Sequence, residues 1–358
     1  MNMKRLKLLL SVIIVAGFMF LASCDNSNDP DPLPLKTGVL IVNEGNFGAG
    51  NGSISFYDEE LQTITNNVVK TANGGSEIGS LVQSMFLYDE VGYILCNDAD
   101  KIEFISEADY KYLDNPTTNI SQPRYMTAVG NKGYISCWGA WGENYTLPDS
   151  YVAVIDLTSR EVVDTLECGS GPEGIIVLNN KLYVANSYET TVSVINLADN
   201  SSEKVNFDAA PKHFAPGADG NLWVSISAGW SYPADKSGVQ SINLTTGEKG
   251  NFVPIQNTAG SIVSDVSGEK IYILAAELYP KTGTKIYVYN TITKNLLTDA
   301  LISGDNFYGL GYNVTTDKIY VSDSKAFAGP GDIHVYDTDG TKSDDQITGV
   351  GPNGFAFK

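Results

Sequence analysis

The stretch LYVANSYETTVSVINL, Leu182 to Leu197, alternates apolar and polar residues twice, with a polar break from Asn186 to Thr190. Alternation on both sides of a short polar run reads as two half-buried β-strands joined by a turn. Nearly the same hairpin recurs along the chain. GYILCNDADKIEFI starts at Gly92, and GYISCW at Gly133 is followed by YVAVIDL at Tyr151. LWVSIS at Leu222 precedes GVQSINL at Gly238, IYILAA at Ile271 precedes KIYVYNT at Lys285, and IYVSDS at Ile319 precedes DIHVYDT at Asp332. An aromatic second position recurs as Tyr93, Tyr134, Tyr183, Trp223, Tyr272 and Tyr320, at intervals of 41, 49, 40, 49 and 48 residues. A first copy, GVLIVNEG at Gly38 with GSISFYD at Gly52, lacks that aromatic.

Periods in the forties with several short strands per unit predict an all-β protein, a β-propeller whose repeats fold as four-stranded blades. Each unit offers an inner strand such as GPEGIIVL from Gly171, the Tyr-Val strand, the Val-Ile-Asn strand and an outer strand such as EVVDTLECG from Glu161. The first copy begins at its second strand, while the chain ends in GPNGFAFK, Gly351 to Lys358, an inner strand with no blade after it. The C-terminal strand is therefore expected to complete the first blade and close a ring of seven over residues 37–358. Closure removes the open sheet edges that invite aggregation. The repeated aromatic is expected to fill the space between adjacent blades.

Ahead of the repeats, Lys4, Arg5 and Lys7 precede an apolar run from Leu8 to Phe20 and then Leu21-Ala22-Ser23-Cys24. A basic start, a short apolar run and small residues predict a secretory signal peptide over residues 1–23. The ending resembles the lipobox of bacterial lipoproteins, which implies lipidation at Cys24. Residues 24–36, rich in Pro, Asp and Asn, read as a flexible acidic tether. By analogy with lipoproteins of some gut Gram-negative bacteria, acidic residues just behind the cysteine imply export to the outer face of the outer membrane.

The chain holds 23 basic and 42 acidic residues. Loss of the signal would leave 20 against 42, a charge of −22 that repels phosphate backbones and sets nucleic-acid binding aside. Cys96, Cys137 and Cys168 remain after Cys24, an odd number, and read as buried small hydrophobes in a chain too large to depend on disulfides.

Tyr183-Val184-Ala185-Asn186 resembles the repeat signature of YVTN-type propellers. With the lipobox, the acidic tether, VNEGNFG from Val42 to Gly48, QPRY from Gln122 to Tyr125 and seven blades, the chain resembles surface-exposed propeller lipoproteins that capture vitamin B12 (cobalamin) for an outer-membrane, TonB-dependent transporter. The resemblance implies a binding protein with no enzymatic activity, whose ligand is a corrinoid. Relatives of that outline bind other cargo, so the fold does not fix the ligand.

Loops between second and third strands share a face with the links between blades, and four are long: Trp138 to Ser150, Ala228 to Gly238, and those starting at Glu277 and Ser324. They carry Trp138, Trp141 and Trp230, an aromatic set that either covers a wide, flat ligand or packs on itself. Aligning the inner strands (VQSM, PRYM, PEGI, PKHF, AGSI, FYGL, PNGF) places Gln83, Arg124, Glu173, Lys212, Gly260, Tyr308 and Asn353 at one equivalent position around the channel mouth. Packing needs repeated in each blade would select similar residues, yet these differ in charge and size. Such diversity is what an asymmetric ligand demands; the alternative is a water-filled channel lined by whatever is tolerated. With a corrinoid bound, Arg124 and Lys212 would meet its phosphate and amide edge, and Trp138, Trp141, Trp230 and Tyr308 would cover the ring.

Catalytic and metal signals are sparse. Of the two histidines, His213 lies in an inner strand and His334 in a third strand, neither at a metal-ligand spacing. Asp337-Thr338-Asp339-Gly340 lacks the remaining ligands of a calcium loop and reads as a hairpin turn. No cofactor is implied. A glycan-binding surface protein and an enzyme of the lactonase or sugar-oxidoreductase kind, with His213 as its candidate, stay open as alternatives.

Overall fold

The computed structural model describes residues 37–229, 231–255, 258–276 and 283–358. The expected leader (1–23), the tether (24–36) with Cys24, and Trp230 lie outside the described residues.

The described strands form seven antiparallel sheets, six of four strands and one of three. Their inner strands are Pro352–Phe357, Val82–Tyr88, Pro123–Val129, Pro172–Leu178, Ala210–Pro216, Thr258–Ser264 and Phe307–Asn313. Each touches the next in that order, and the last returns to the first, which makes a closed seven-bladed propeller. Blade one is completed by the chain's end: Val39–Asn43 pairs antiparallel with Pro352–Phe357 on one side and Ser53–Asp58 on the other. Blade two departs from the four-strand expectation. Beyond its third strand, Lys101–Ser106, the chain makes only isolated bridges, Ile102 to Thr117 and Ile105 to Tyr112. The segment DYKYLDNPTT lacks the alternation that would sustain a ladder.

The apolar residues fall into seven clusters, one between each pair of neighbouring blades. Tyr93, Tyr134, Tyr183, Trp223, Tyr272 and Tyr320 are all buried, and each belongs to the cluster facing the adjoining blade. Blade one lacks the aromatic, and its interface with blade two is filled by Leu40, Phe56 and the short helix Val68–Ala72. The repeat therefore spells out interfaces between blades more than cores within them. Cys96 and Cys137 are buried and free; Cys168 is free and half-buried.

Two recurring polar residues hold the frame. Asp58, Asp156, Asn243 and Asn290 end third strands, and each accepts hydrogen bonds from backbone N–H groups two and three residues on, at 2.7 to 3.1 Å. This side chain turns the backbone and ends the strand. Asn43 and Asn186 end second strands. Asn186 reaches Thr191 and Ser193 and accepts from the Gly169 N–H at 3.0 Å, and Asn43 does the same with Ser53, Ser55 and the Gly349 N–H. The asparagines of YVAN and VNEG are thus structural.

Candidate functional site

Every inner strand slips register at the same place. The pairing with the second strand, or in blade one with Val39–Asn43, shifts at Gln83, at Arg124-Tyr125, Glu173-Gly174, Lys212-His213 and Gly260-Ser261, at Tyr308 and at Asn353. These β-bulges are the equivalent positions derived from the repeat. A bulge sets two residues against one and re-aims a side chain, here at the loop-bearing end of each inner strand. Where the opposed residue is serine, its hydroxyl accepts the bulge N–H: Tyr125 to Ser136 at 3.1 Å, His213 to Ser225 at 3.1 Å, Gly309 to Ser322 at 2.8 Å. Ser136 then donates to the Glu173 carbonyl at 2.7 Å, and Ser322 to the Pro352 carbonyl at 2.6 Å, so the distortion is tied to the next blade.

Gln83, Asn353 and, in the other blades, residues one or two steps beyond the bulge position line a central cavity of about 260 Å³ that touches all seven blades. Its polar lining comes from Gln83, Ser84, Tyr125, His213, Ser261 and Asn353. The bulge side chains ring its loop-side mouth.

At that mouth the residues of blades two, three and four join. Arg124 donates through Nε and Nη2 to the two Glu173 oxygens, at 3.2 and 2.6 Å, and through Nη1 to Gln83 Oε1. Its guanidinium carbon lies 4.0 Å from the centre of the Trp138 ring, and Trp138 Nε1 donates to Glu173 at 3.1 Å. Burial alone would raise the Glu173 carboxyl, but the Arg124 guanidinium holds it below its ordinary value. Arg124 is in turn raised: burial works against its charge, and Glu173 more than restores it. Gln83 also donates to the Tyr125 hydroxyl at 3.3 Å, and Asn353 donates to the Gln83 carbonyl at 2.9 Å.

The opposite side of the mouth is built by blades seven and one. Tyr308 donates to Glu44 Oε2 at 2.8 Å and packs edge-on against Phe327, ring centres 5.3 Å apart. Burial raises the Glu44 carboxyl. Burial also lowers the Lys212 ammonium, against an opposing pull from Glu173, and pushes the His213 imidazole down to about 4. His213 is therefore neutral near pH 7, packed edge-on against Tyr125 at 5.1 Å. The geometry supports binding through hydrogen bonds and stacking; among the described residues no cluster of ligating side chains could hold a metal ion.

Trp138, Trp141 and Tyr188 pack mutually edge-to-face, with centres 5.7 to 6.0 Å apart. Trp141 and Tyr188 are each 46% exposed, so the group is at once self-packed and open to solvent. The structure thus joins Gln83, Arg124, Glu173 and Trp138 in one cluster, with Trp141 on its outer edge, and places Tyr308 across the mouth. Asn353 sits beneath Gln83, and Lys212 stands apart from the clamp. Sequence reasoning passed over Glu44, Tyr125 and Tyr188. Glu44 carried a signal, since it follows Asn43 as Trp138 follows Cys137, at the exit of a second strand.

A closed seven-bladed propeller with an asymmetric, charged mouth and an aromatic rim defines the class. The chain belongs to the family described as a domain of unknown function, DUF5074, which matches residues 37–349. No curated protein matches it significantly. Among solved structures it is similar to a functionally unknown protein from Desulfotomaculum acetoxidans, 13% identical over 90% of this chain and 98% of that one, TM-score 0.67. It is also similar to the Pseudomonas aeruginosa periplasmic gluconolactonase, 10% identical over 89% and 98%, TM-score 0.65. A quinonprotein alcohol dehydrogenase-like protein from Bacteroides thetaiotaomicron shares 16% identity over 90% and 78%, TM-score 0.64. Identities this low carry the fold and nothing about activity.

Proposed function

We propose that the protein is a lipid-anchored binding protein at the outer face of the outer membrane. It captures a corrinoid on the loop face of the propeller and hands it, without turnover, to an outer-membrane transporter. One observation carries this reading: a buried, asymmetric polar cluster, Gln83–Arg124–Glu173, lies beside the half-exposed aromatic group Trp138, Trp141 and Tyr188. A single sugar ring needs one stacking surface. A corrinoid offers a wide apolar macrocycle edged by amides, which matches aromatic groups on two sides of a mouth whose polar atoms are already held in place.

The leader and Cys24 support the anchoring part of the proposal. Cys24→Ala should release the protein from the membrane, since a lipid would be its attachment. Retention of this variant would refute the anchor. Native mass spectrometry of the purified protein with a mixed pool of corrinoids and glycans tests the cargo: a one-to-one corrinoid adduct is expected. An adduct with glycans alone would overturn the reading in favour of a glycan-binding protein, and hydrolysis of a lactone panel would overturn it in favour of an enzyme.

A further inference from the structure

The charges at the mouth are not all paired: Glu44 accepts from Tyr308 and Glu173 from Arg124, and one ammonium is left over. Arg124 and Glu173 satisfy each other, and Arg124 has its Nε and both terminal nitrogens engaged while one face of its guanidinium is covered by Trp138. The remaining cation of the ring is Lys212, in the bulge of the adjoining blade. Among the described residues the Lys212 side chain makes no hydrogen bond and no ion pair, although it is partly buried. The groups whose charges it feels are Glu173 and Arg124, which oppose one another. A partly buried ammonium with no protein partner keeps only part of its hydration, so an arriving anion loses less in pairing with it than with an ammonium already bound to a carboxylate.

We infer that Lys212 is the receptor for a single anionic group on the ligand, a phosphodiester or a carboxylate, and that Arg124 is a positioning residue that holds Glu173 and Trp138. This rests on the mouth being the ligand site. The class of anion follows from charge. The whole chain carries a net −19, and Glu44 and Glu173 stand at the mouth beside Arg124 and Lys212, so a polyanion is repelled on approach while a single negative charge pairs with the one unpartnered ammonium. The compact, rotatable ammonium suits a singly charged oxygen, whereas the planar fork of Arg124 is already matched to a carboxylate.

The test uses the whole protein with its lysines reductively labelled with carbon-13 methyl groups, the Lys212 signal being assigned by its loss in Lys212→Met. Dimethyl phosphate should shift that signal saturably and raise its midpoint of titration, and pyrophosphate at equal ionic strength should bind at least about tenfold more weakly. In parallel, cyanocobalamin, which carries a phosphodiester, is compared with dicyanocobinamide, which lacks it. The wild type should prefer the former by about tenfold or more, the size of one charge-assisted hydrogen bond, and Lys212→Met should lose the preference. A Lys212 signal that does not respond, or unchanged dimethyl phosphate affinity in Lys212→Met, would overturn the assignment. A saturable response to dimethyl phosphate with no corrinoid bound would uphold the anion receptor and remove the proposed cargo.

Discussion

Arg124 stacks over the indole of Trp138, 4.0 Å from the ring centre, while both side chains hold Glu173 from different directions. Side chains from blades three and four are thereby fixed at the channel mouth before any ligand arrives. A preformed arrangement of this kind reduces the ordering cost of binding.

Removing one member of the clamp strands the other. Glu173→Gln leaves the guanidinium without its counter-charge and should cost about 3 kcal/mol of stability, read from denaturant unfolding. Arg124→Ala is therefore a poor probe of ligand contact, because it also destabilises the fold. The double change Arg124→Met with Glu173→Met removes both charges together and should restore most of the loss. Because the folded Glu173 carboxyl lies below its unfolded value, its contribution is present above the unfolded carboxylate pKa and disappears as pH falls through the folded one. The gap between wild type and Glu173→Gln should close on acidification.

His213 gives a second pH dependence. Its folded pKa, about 4, lies below the unfolded value near 6.5, so between those limits the unfolded chain binds a proton that the folded protein refuses. The contribution of His213 should be level well above pH 6.5 and fall by about 2 to 3 kcal/mol on descending to pH 4. His213→Gln should flatten that part of the profile, and an unchanged slope would remove the assignment.

The short C-terminal strand carries the ring closure. Deleting residues 351–358 leaves Val39–Asn43 without its inner neighbour and strips Phe355 and Phe357 from Tyr320, whose ring centre lies 5.7 and 5.4 Å from theirs. Unpaired backbone groups at the centre of the ring should prevent folding to the native state. Circular dichroism of the truncated chain should show no cooperative melt, and a native one would contradict the closure.

Gly171 sits in the left-handed region, φ +61°, just ahead of the inner strand of blade four, and a Cβ there would come within 2.4 Å of the Tyr188 ring. Gly171→Ala should cost at least about 1 to 2 kcal/mol from backbone strain alone. It should also push Tyr188 off the tryptophans, visible as a change in tryptophan fluorescence. Normal stability with unchanged fluorescence would refute this account of the aromatic rim.

The fold was legible because its repeat is written in backbone-level pattern: period-two alternation, an aromatic for six of the seven interfaces, and an Asp or Asn ending six of the seven third strands. The outer part of blade two was not, since isolated bridges leave no alternation to read. Alignment of inner strands put Arg124, Glu173 and Gln83 at one position, and the structure places each of them in a bulge. The bulges themselves were invisible, because one extra residue in a strand changes no composition. Contacts across blades, such as Tyr308 with Glu44, depend on ring closure and on the exit of a second strand, where the repeat imposes no fixed residue. Tyr188 comes from a loop too short to draw notice beside those of blades three and five.

Capture of a corrinoid at the aromatic edge of the mouth is tested by calorimetric titration of cyanocobalamin into the wild type and Trp141→Ala. Trp141 is 46% exposed and outside the inter-blade clusters, so its loss should leave the melting temperature nearly unchanged. The wild type should bind one equivalent, and the variant should bind roughly tenfold to a hundredfold more weakly, the usual effect of truncating a central aromatic contact of about 1 to 3 kcal/mol. Absence of heat with the wild type, or equal affinity in the two proteins, would contradict it.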